Sequence, residues 1–329
     1  MVVSDFPSAK LHVVTGKGGT GKTTVAGALA LALAAGGRQV LLMEVEGRQG
    51  IAQLFDTPPL PYEERMVATA RGGGEVYALA VDPEAALLEY LAMFYNLRRA
   101  GSALKRIGAI DFATTIAPGM RDVLLTGKVM EAATRERRGG GGRLYDKVVL
   151  DAPPTGRIAR FLNVNAEVAG LARMGPVRQQ ADSVMNLLRS RKTAVHLVTV
   201  LEEMPVQETA DGVGELTKAG LPVGGVVVNM VREPLLPAAS LAAAAAGGLD
   251  QAELARGLTG AGVEAEPALV AALAGEASDH AGRVLLEERE REELAELGRP
   301  TYELPMLSEA IDLSCLYDLA TMLDDQGLV

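Results

Sequence analysis

The sequence predicts an α/β fold, a doubly wound and mostly parallel sheet with an α-helical subdomain inserted in the core. Three observations lead there. Apolar, β-branched runs bounded by turn residues alternate with helical patterns along the chain. A glycine-rich loop sits between the first such run and the first helical pattern. Two stretches, 83–140 and 158–192, carry helical patterns where one crossover would suffice.

The strands are expected at 11–15 (LHVVT), 39–45 (QVLLMEV), 76–81 (VYALAV), 147–151 (KVVLD), 194–201 (AVHLVTVL), 223–229 (VGGVVVN) and 301–305 (TYELP). Helices are expected at 22–35, 206–219 and 308–324, where apolar residues recur at helical spacing. The run PEAALLEYLAMFYNLRRA and the run PGMRDVLLTGKVMEAATRERR give the subdomain its helices. Residues 235–300 begin Ala/Gly-rich, with an expected mobile first half, and end in a charged helix. The whole chain reads as one domain, 1–329.

Composition narrows the function. A hydrophobic fraction of 48% is ample for a core, and the aromatic share is only 4%. The net charge of −10 disfavours nucleic acid as a partner, since a basic face is its usual footprint. The single cysteine, Cys315, excludes an intrachain disulfide and fits a reducing, cytoplasmic setting. With three histidines (His12, His196, His280), it leaves too few ligands for a Cys/His metal cluster. The uncharged runs 23–37 and 235–249 fall short of the ~20 residues that a membrane helix needs, so no integral membrane segment is expected.

The stretch VTGKGGTGKTT holds the chemistry. Gly16-x-x-x-x-Gly21-Lys22-Thr23 is a phosphate-binding loop, placed between a strand and a helix as that motif requires. Backbone N–H groups of Gly16, Lys17, Gly18, Gly19, Thr20, Gly21 and Thr24 would surround the phosphates of ATP. Lys22 would neutralise the β- and γ-phosphates, and Thr23 would ligate Mg²⁺. At the tip of the 147–151 strand, Asp151 would hold the same metal through water.

Lys17, directly after the first glycine, makes GKGGTGKT resemble the deviant Walker A class. The resemblance implies a lysine that crosses a dimer interface to the phosphates bound by the opposing subunit. VVLDAPPTGRIARFL (148–162) is similar to the second switch of the ArsA family of arsenite-pump ATPases, which includes the eukaryotic ATPase that delivers tail-anchored proteins. MEVEGRQGIAQLF, TVLEEMPVQET and VVVNMV match the same family. The run through FATTIAPGMRDVLLTGK looks most like actinobacterial ArsA-like subunits that work with a paralogous partner. By this resemblance Asn229 and the backbone near Pro305 contact adenine, and Glu202 lies near the opposing subunit's nucleotide. Asn229 could equally cap a strand end, and Glu202 with Glu203 could be an acidic surface pair.

The family has an aspartate in its first switch to orient the attacking water; here Glu46 stands there. Its carboxyl sits roughly 1.5 Å further out, and a misplacement of about 1 Å can cost on the order of 100-fold. Glu44, two residues back, competes for the assignment. Arg157 replaces a histidine common in the family. The zinc clamp and the arsenite-binding thiols known in the family need cysteines that this chain lacks.

The expectation is thus a Mg²⁺-dependent ATPase with catalytic Lys17, Lys22, Glu46 and Asp151, working as a homodimer or as a heterodimer with a paralogue. The alternatives are a nucleotide-holding structural subunit with little hydrolysis and, further off, a metalloid-efflux ATPase. The Met- and Leu-rich helices (Leu87, Leu88, Leu91, Met93, Phe94, Tyr95, Leu97, Leu104, Ile107, Met120, Leu124, Leu125, Val129, Met130, Met174, Met185, Leu187, Leu188) offer either a subdomain core or a groove for a hydrophobic protein or lipid-like client.

Overall fold

The computed structural model describes residues 4–95, 119–137, 139, 142–171, 176–307 and 311–329. Its strands are β1 (Leu11–Gly16), β2 (Gln39–Glu44), β3 (Arg65–Thr69), β4 (Glu75–Ala80), β5 (Lys147–Asp151), β6 (Thr193–Thr199), β7 (Val223–Val231) and β8 (Thr301–Pro305). They form one sheet in the order β3-β4-β2-β5-β1-β6-β7-β8. Only the edge pair β3–β4 is antiparallel; the other pairs run parallel. β1 thus lies inside the sheet, with β5 and β6 as neighbours, and its C-terminal end opens into the glycine loop.

The helices are α1 (Lys22–Ala34), α2 (Gly50–Leu54), α3 (Pro83–Tyr95), α4 (Met120–Thr134), α5 (Thr155–Leu171) and α6 (Pro176–Leu188). They continue as α7 (Glu203–Lys218), α8 (Ala238–Ala245), α9 (Gln251–Gly260), α10 (Pro267–Glu296) and α11 (Leu313–Asp325). Period-two alternation sorts each strand's side chains between two layers. Val14, Val40, Leu42, Val149 and Val198 meet α1, α2 and α11 in one core cluster. Leu11, Val13, Leu41, Met43, Leu150 and Leu197 meet α4–α7 in the other. α1 is covered all round, with Val25 to Ala34 no more than 4% exposed. Its run of Ala, Leu and Gly explains this, because small side chains let the sheet and α11 approach closely on opposite sides.

Each of the seven expected strands is present, with ends shifted by a few residues. β2 stops at Glu44, which leaves Glu46 beyond the strand. β3 escaped the reading because it is an edge strand with Arg65, Met66 and Thr69 exposed, so it shows no long apolar run. α11 starts at Leu313, not at 308; Asp312 caps it by accepting from the Cys315 N–H at 2.8 Å, and residues 308–310 lie outside the described part. The Ala/Gly-rich stretch expected to begin as a mobile segment is helical, as α8, α9 and the 30-residue α10. α8 and α10 share a small core of their own, Leu241, Ala244, Ala281 and Val284.

Of the apolar residues that could form a groove, Leu87, Leu124, Leu125, Val129, Met185, Leu187 and Leu188 are buried in the layer against the sheet. Leu88 and Met130 are partly buried beside it, and Met120 is 40% exposed. Leu97, Leu104, Ile107 and Met174 lie outside the described residues. Leu91, Met93, Phe94 and Tyr95 are described in backbone only.

One polar pair interrupts the core. His12 of β1 and His196 of β6 are both buried, with parallel rings and Nδ1 of His12 3.1 Å from Nε2 of His196. His196 Nδ1 accepts the Gly225 N–H at 3.2 Å, so Nε2 carries its proton and donates to His12. Burial holds the His196 pKa down at about 4. Burial, then the charges of His196 and Lys147, hold His12 well below its ordinary value. Folding therefore favours both rings neutral. This stabilisation is complete above about pH 6.5 and is lost as pH falls towards about 4, amounting to on the order of 3 kcal/mol for His196. The difference in Tm between the parent and His196→Leu should shrink across that window, whatever its size at pH 8. A difference that stays constant would mean that the pair does not titrate on unfolding.

Candidate functional site

The site starts where β1 ends. A Cβ on Gly16 would lie 2.1 Å from the carbonyl oxygen of Val198 on β6, so no side chain fits there. Gly21, which precedes α1, has φ +84°, and its Cβ would lie 2.3 Å from Nδ2 of Asn229. The chain between them turns tightly, with Thr20 Oγ1 donating to Lys17 O at 2.9 Å. No side chain caps α1, so its leading N–H groups are left for a ligand.

The expected residues meet around this turn. Thr23 Oγ1 donates to Asp151 Oδ2 at 2.7 Å, joining the first turn of α1 to the tip of β5. Thr15 Oγ1 donates to Pro153 O at 2.7 Å and ties β1 to the segment after Asp151. Lys22 Nζ donates to Lys17 O at 3.1 Å. Burial lowers the Lys22 pKa, Asp151 and Glu46 oppose that, and Arg48 adds to it. Asp151 is pushed up to about 6: burial dominates, Glu44 and Glu46 push the same way, and Thr23 and Lys22 pull back.

The structure separates Glu44 from Glu46. Glu44 is 2% exposed and accepts the Ile51 N–H at 3.2 Å. Glu46 lies past the strand, half-buried, with Oε2 3.6 Å from Arg48 Nη2 and its charge felt by both Lys22 and Asp151. Thr23 and Asp151 supply the hard oxygens that Mg²⁺ takes. Among the described residues no three His, Cys, Asp or Glu converge on a point, so a metal here would also draw on phosphate oxygens and water.

Lys17 does not extend freely. Its Nζ is 2.9 Å from Oε1 of Glu208 on α7, and the other oxygen of Glu208 is 3.5 Å from Thr155 Oγ1 at the start of α5. Glu208 escaped the sequence reading because no local pattern joins it to the loop. Asn229 takes a task not foreseen: buried, it donates from Nδ2 to Thr20 O at 3.0 Å and braces the loop from β7. Pro305 ends β8 opposite Val231. Glu202 is exposed at the N-cap of α7, and its side chain makes no capping bond. Arg157 lies 3.9 Å from Asp122 of α4.

Known proteins resemble this chain over these same elements. A family profile described as anion-transporting ATPase matches residues 9–190. ATPase BagA of Mycobacterium tuberculosis is 54% identical over 325 residues, spanning 99% of this chain and 95% of its own. ATPase GET3 of Kluyveromyces lactis is 28% identical over 255 residues, 66% of this chain and 71% of its own. The arsenical pump-driving ATPase of Escherichia coli is 27% identical over 247 residues, 66% of this chain and 38% of its own.

The raised pKa of Asp151 has a stability consequence. A carboxyl whose folded pKa exceeds its unfolded value costs stability once it ionises. The cost is absent below about pH 4 and complete above about pH 6, at on the order of 3 kcal/mol. Asp151→Asn keeps an oxygen for Thr23 and removes the charge. Without nucleotide it should raise Tm by several degrees at pH 7.5 and leave it unchanged at pH 4. An equal effect at both values would show that charge is not the cause.

Proposed function

The chain belongs to the anion-transporting ATPase family and hydrolyses ATP, and on that premise we propose that it is a Mg²⁺-dependent dimeric switch. In this reading the nucleotide state opens and closes a helical subdomain, drawn from the chain between 83 and 192, over a hydrophobic protein or lipid-like client. The observation that carries the reading is the seat of Lys17. It sits on the phosphate loop, yet its ammonium is held by α7 and only its carbonyl meets Lys22. In this reading the lysine leaves Glu208 to serve a second subunit, either another copy or a paralogue. There it would act as an arginine finger does, supplying positive charge to the transferring phosphoryl group when two subunits close.

The other roles in this reading are these. Lys22 binds the β- and γ-phosphates, and the N–H groups of the 16–24 loop hold the remaining oxygens. Thr23 and Asp151 would hold Mg²⁺, which when bound neutralises phosphate charge. Glu46 orients the water that attacks the γ-phosphorus; its charge is felt by Lys22 and Asp151, which supports the role. Asn229 fixes the loop; the backbone near Pro305 would contact adenine, and Glu202 would lie near the opposing subunit's nucleotide. Most described apolar residues of the helices are core, so among the described residues a client surface in this reading includes the exposed Met120. A cytoplasmic location fits one free thiol, and one thiol per chain cannot form a three-thiolate arsenite site. A second reading, a nucleotide-held structural subunit with slow turnover, draws support from the longer Glu46 and its contact with Arg48.

Light-scattering mass and ATP turnover, measured together with Mg²⁺ and with or without a paralogue, test the proposal. Lys17→Ala should keep nucleotide binding and lower turnover by on the order of 1,000-fold. Glu46→Ala should lower it by on the order of 100-fold. A nucleotide-driven doubling of mass should accompany activity in the parent. A parent that binds ATP and turns over no faster than these variants would establish the structural-subunit reading instead.

A further inference from the structure

Glu44 is a buried carboxyl next to the site that the roles above leave unused. It ends β2 in register with Asp151 of β5. Residues in register on neighbouring parallel strands face the same way, and Val40, Leu42 and Val149 on that alternation lie in the layer under α1. Both carboxyls therefore face the side on which Thr23 meets Asp151. One oxygen of Glu44 accepts the Ile51 N–H; the other, Oε1, is buried with no hydrogen-bond partner. The turn that supplies that N–H rests on the same threonine, since a Cβ on Gly50 would lie 3.2 Å from Thr23 Cγ2.

An unpartnered carboxyl oxygen at 2% exposure, with a second carboxyl beside it, is costly. Anchoring α2 needs only one oxygen. Mg²⁺ keeps several of its waters, and their protons need acceptors. We propose that Glu44 Oε1 accepts a hydrogen bond from a water of the nucleotide-bound divalent cation, which makes Glu44 an outer-sphere positioning residue for the metal. The inference rests on the Mg²⁺ reading of Thr23 and Asp151. It separates two carboxyls that the sequence left ambiguous: Glu44 serves the metal, and Glu46 the attacking water.

The test is Mg²⁺ titration of fluorescent-ADP binding by the full chain, for the parent, Glu44→Gln and Glu44→Ala, with Tm measured without nucleotide. Glutamine keeps an oxygen for Ile51 and puts an amide donor where Oε1 stood, next to Asp151. Glu44→Gln should raise Tm, leave ADP affinity in EDTA unchanged, and raise the Mg²⁺ concentration for half-effect by on the order of 10-fold. Glu44→Ala should lower Tm; should it fail to fold, the glutamine variant carries the test. A glutamine variant with the parent's Mg²⁺ dependence would overturn the inference and leave Glu44 as an anchor for α2. A parent whose ADP binding ignores Mg²⁺ would instead overturn the metal reading itself, and this inference with it.

Discussion

The site depends on how closely three strands crowd the phosphate loop. β6 presents the Val198 carbonyl so near Gly16 that a Cβ cannot fit, and β7 sends Asn229 against Gly21 and the Thr20 carbonyl. β5 completes the enclosure through Asp151 and Thr23. The loop has little freedom left, so its amides are aimed before any ligand arrives. Preorganisation of this kind is the main contribution of a protein to phosphoryl transfer, where positioning and electrostatics outweigh covalent chemistry.

The two ends of the sheet are built differently. Towards the N-terminal ends of its strands, the core holds the His12–His196 pair, whose rings burial keeps neutral. At the C-terminal ends it gathers charges of both signs: Lys22, Asp151, Glu44 and Glu46 lie within electrostatic reach of one another. A fold optimised for stability alone would not place carboxyls side by side under a layer of alanine and leucine. The raised pKa of Asp151 records that cost, which is reasonable where a cation is to be held.

Features encoded over a few residues were legible in the sequence. Gly16, Gly21, Lys22 and Thr23 announce themselves by spacing, and Asp151 by its place at the end of a buried apolar run. The parallel strands were legible because burial on both faces makes them continuously apolar. What stayed hidden depends on chain segments meeting from far apart. Glu208 looks like any surface acid of α7 until the fold brings it to Lys17. Asn229, given to adenine by resemblance with a strand-end cap as the alternative, braces the loop only because β7 lies beside it. β3 stayed hidden because an exposed edge strand carries little apolar signal, and the Glu44–Glu46 choice awaited the point at which β2 ends.

The Lys17–Glu208 contact also bears on how two subunits would recognise readiness in each other. Because the lysine already has a carboxyl partner, moving it to a neighbour's phosphate exchanges one Coulombic contact for another and adds little net binding strength. The exchange acts as a toggle with two seats. Glu208 also lies near Thr155, which follows the Asp151 strand, so the home seat borders that segment. On the proposed reading, loading one subunit loosens its own lysine, and the two chains become mutually ready at the same moment. Association on that reading would report that both sites are filled, as in a lock that needs two keys turned together.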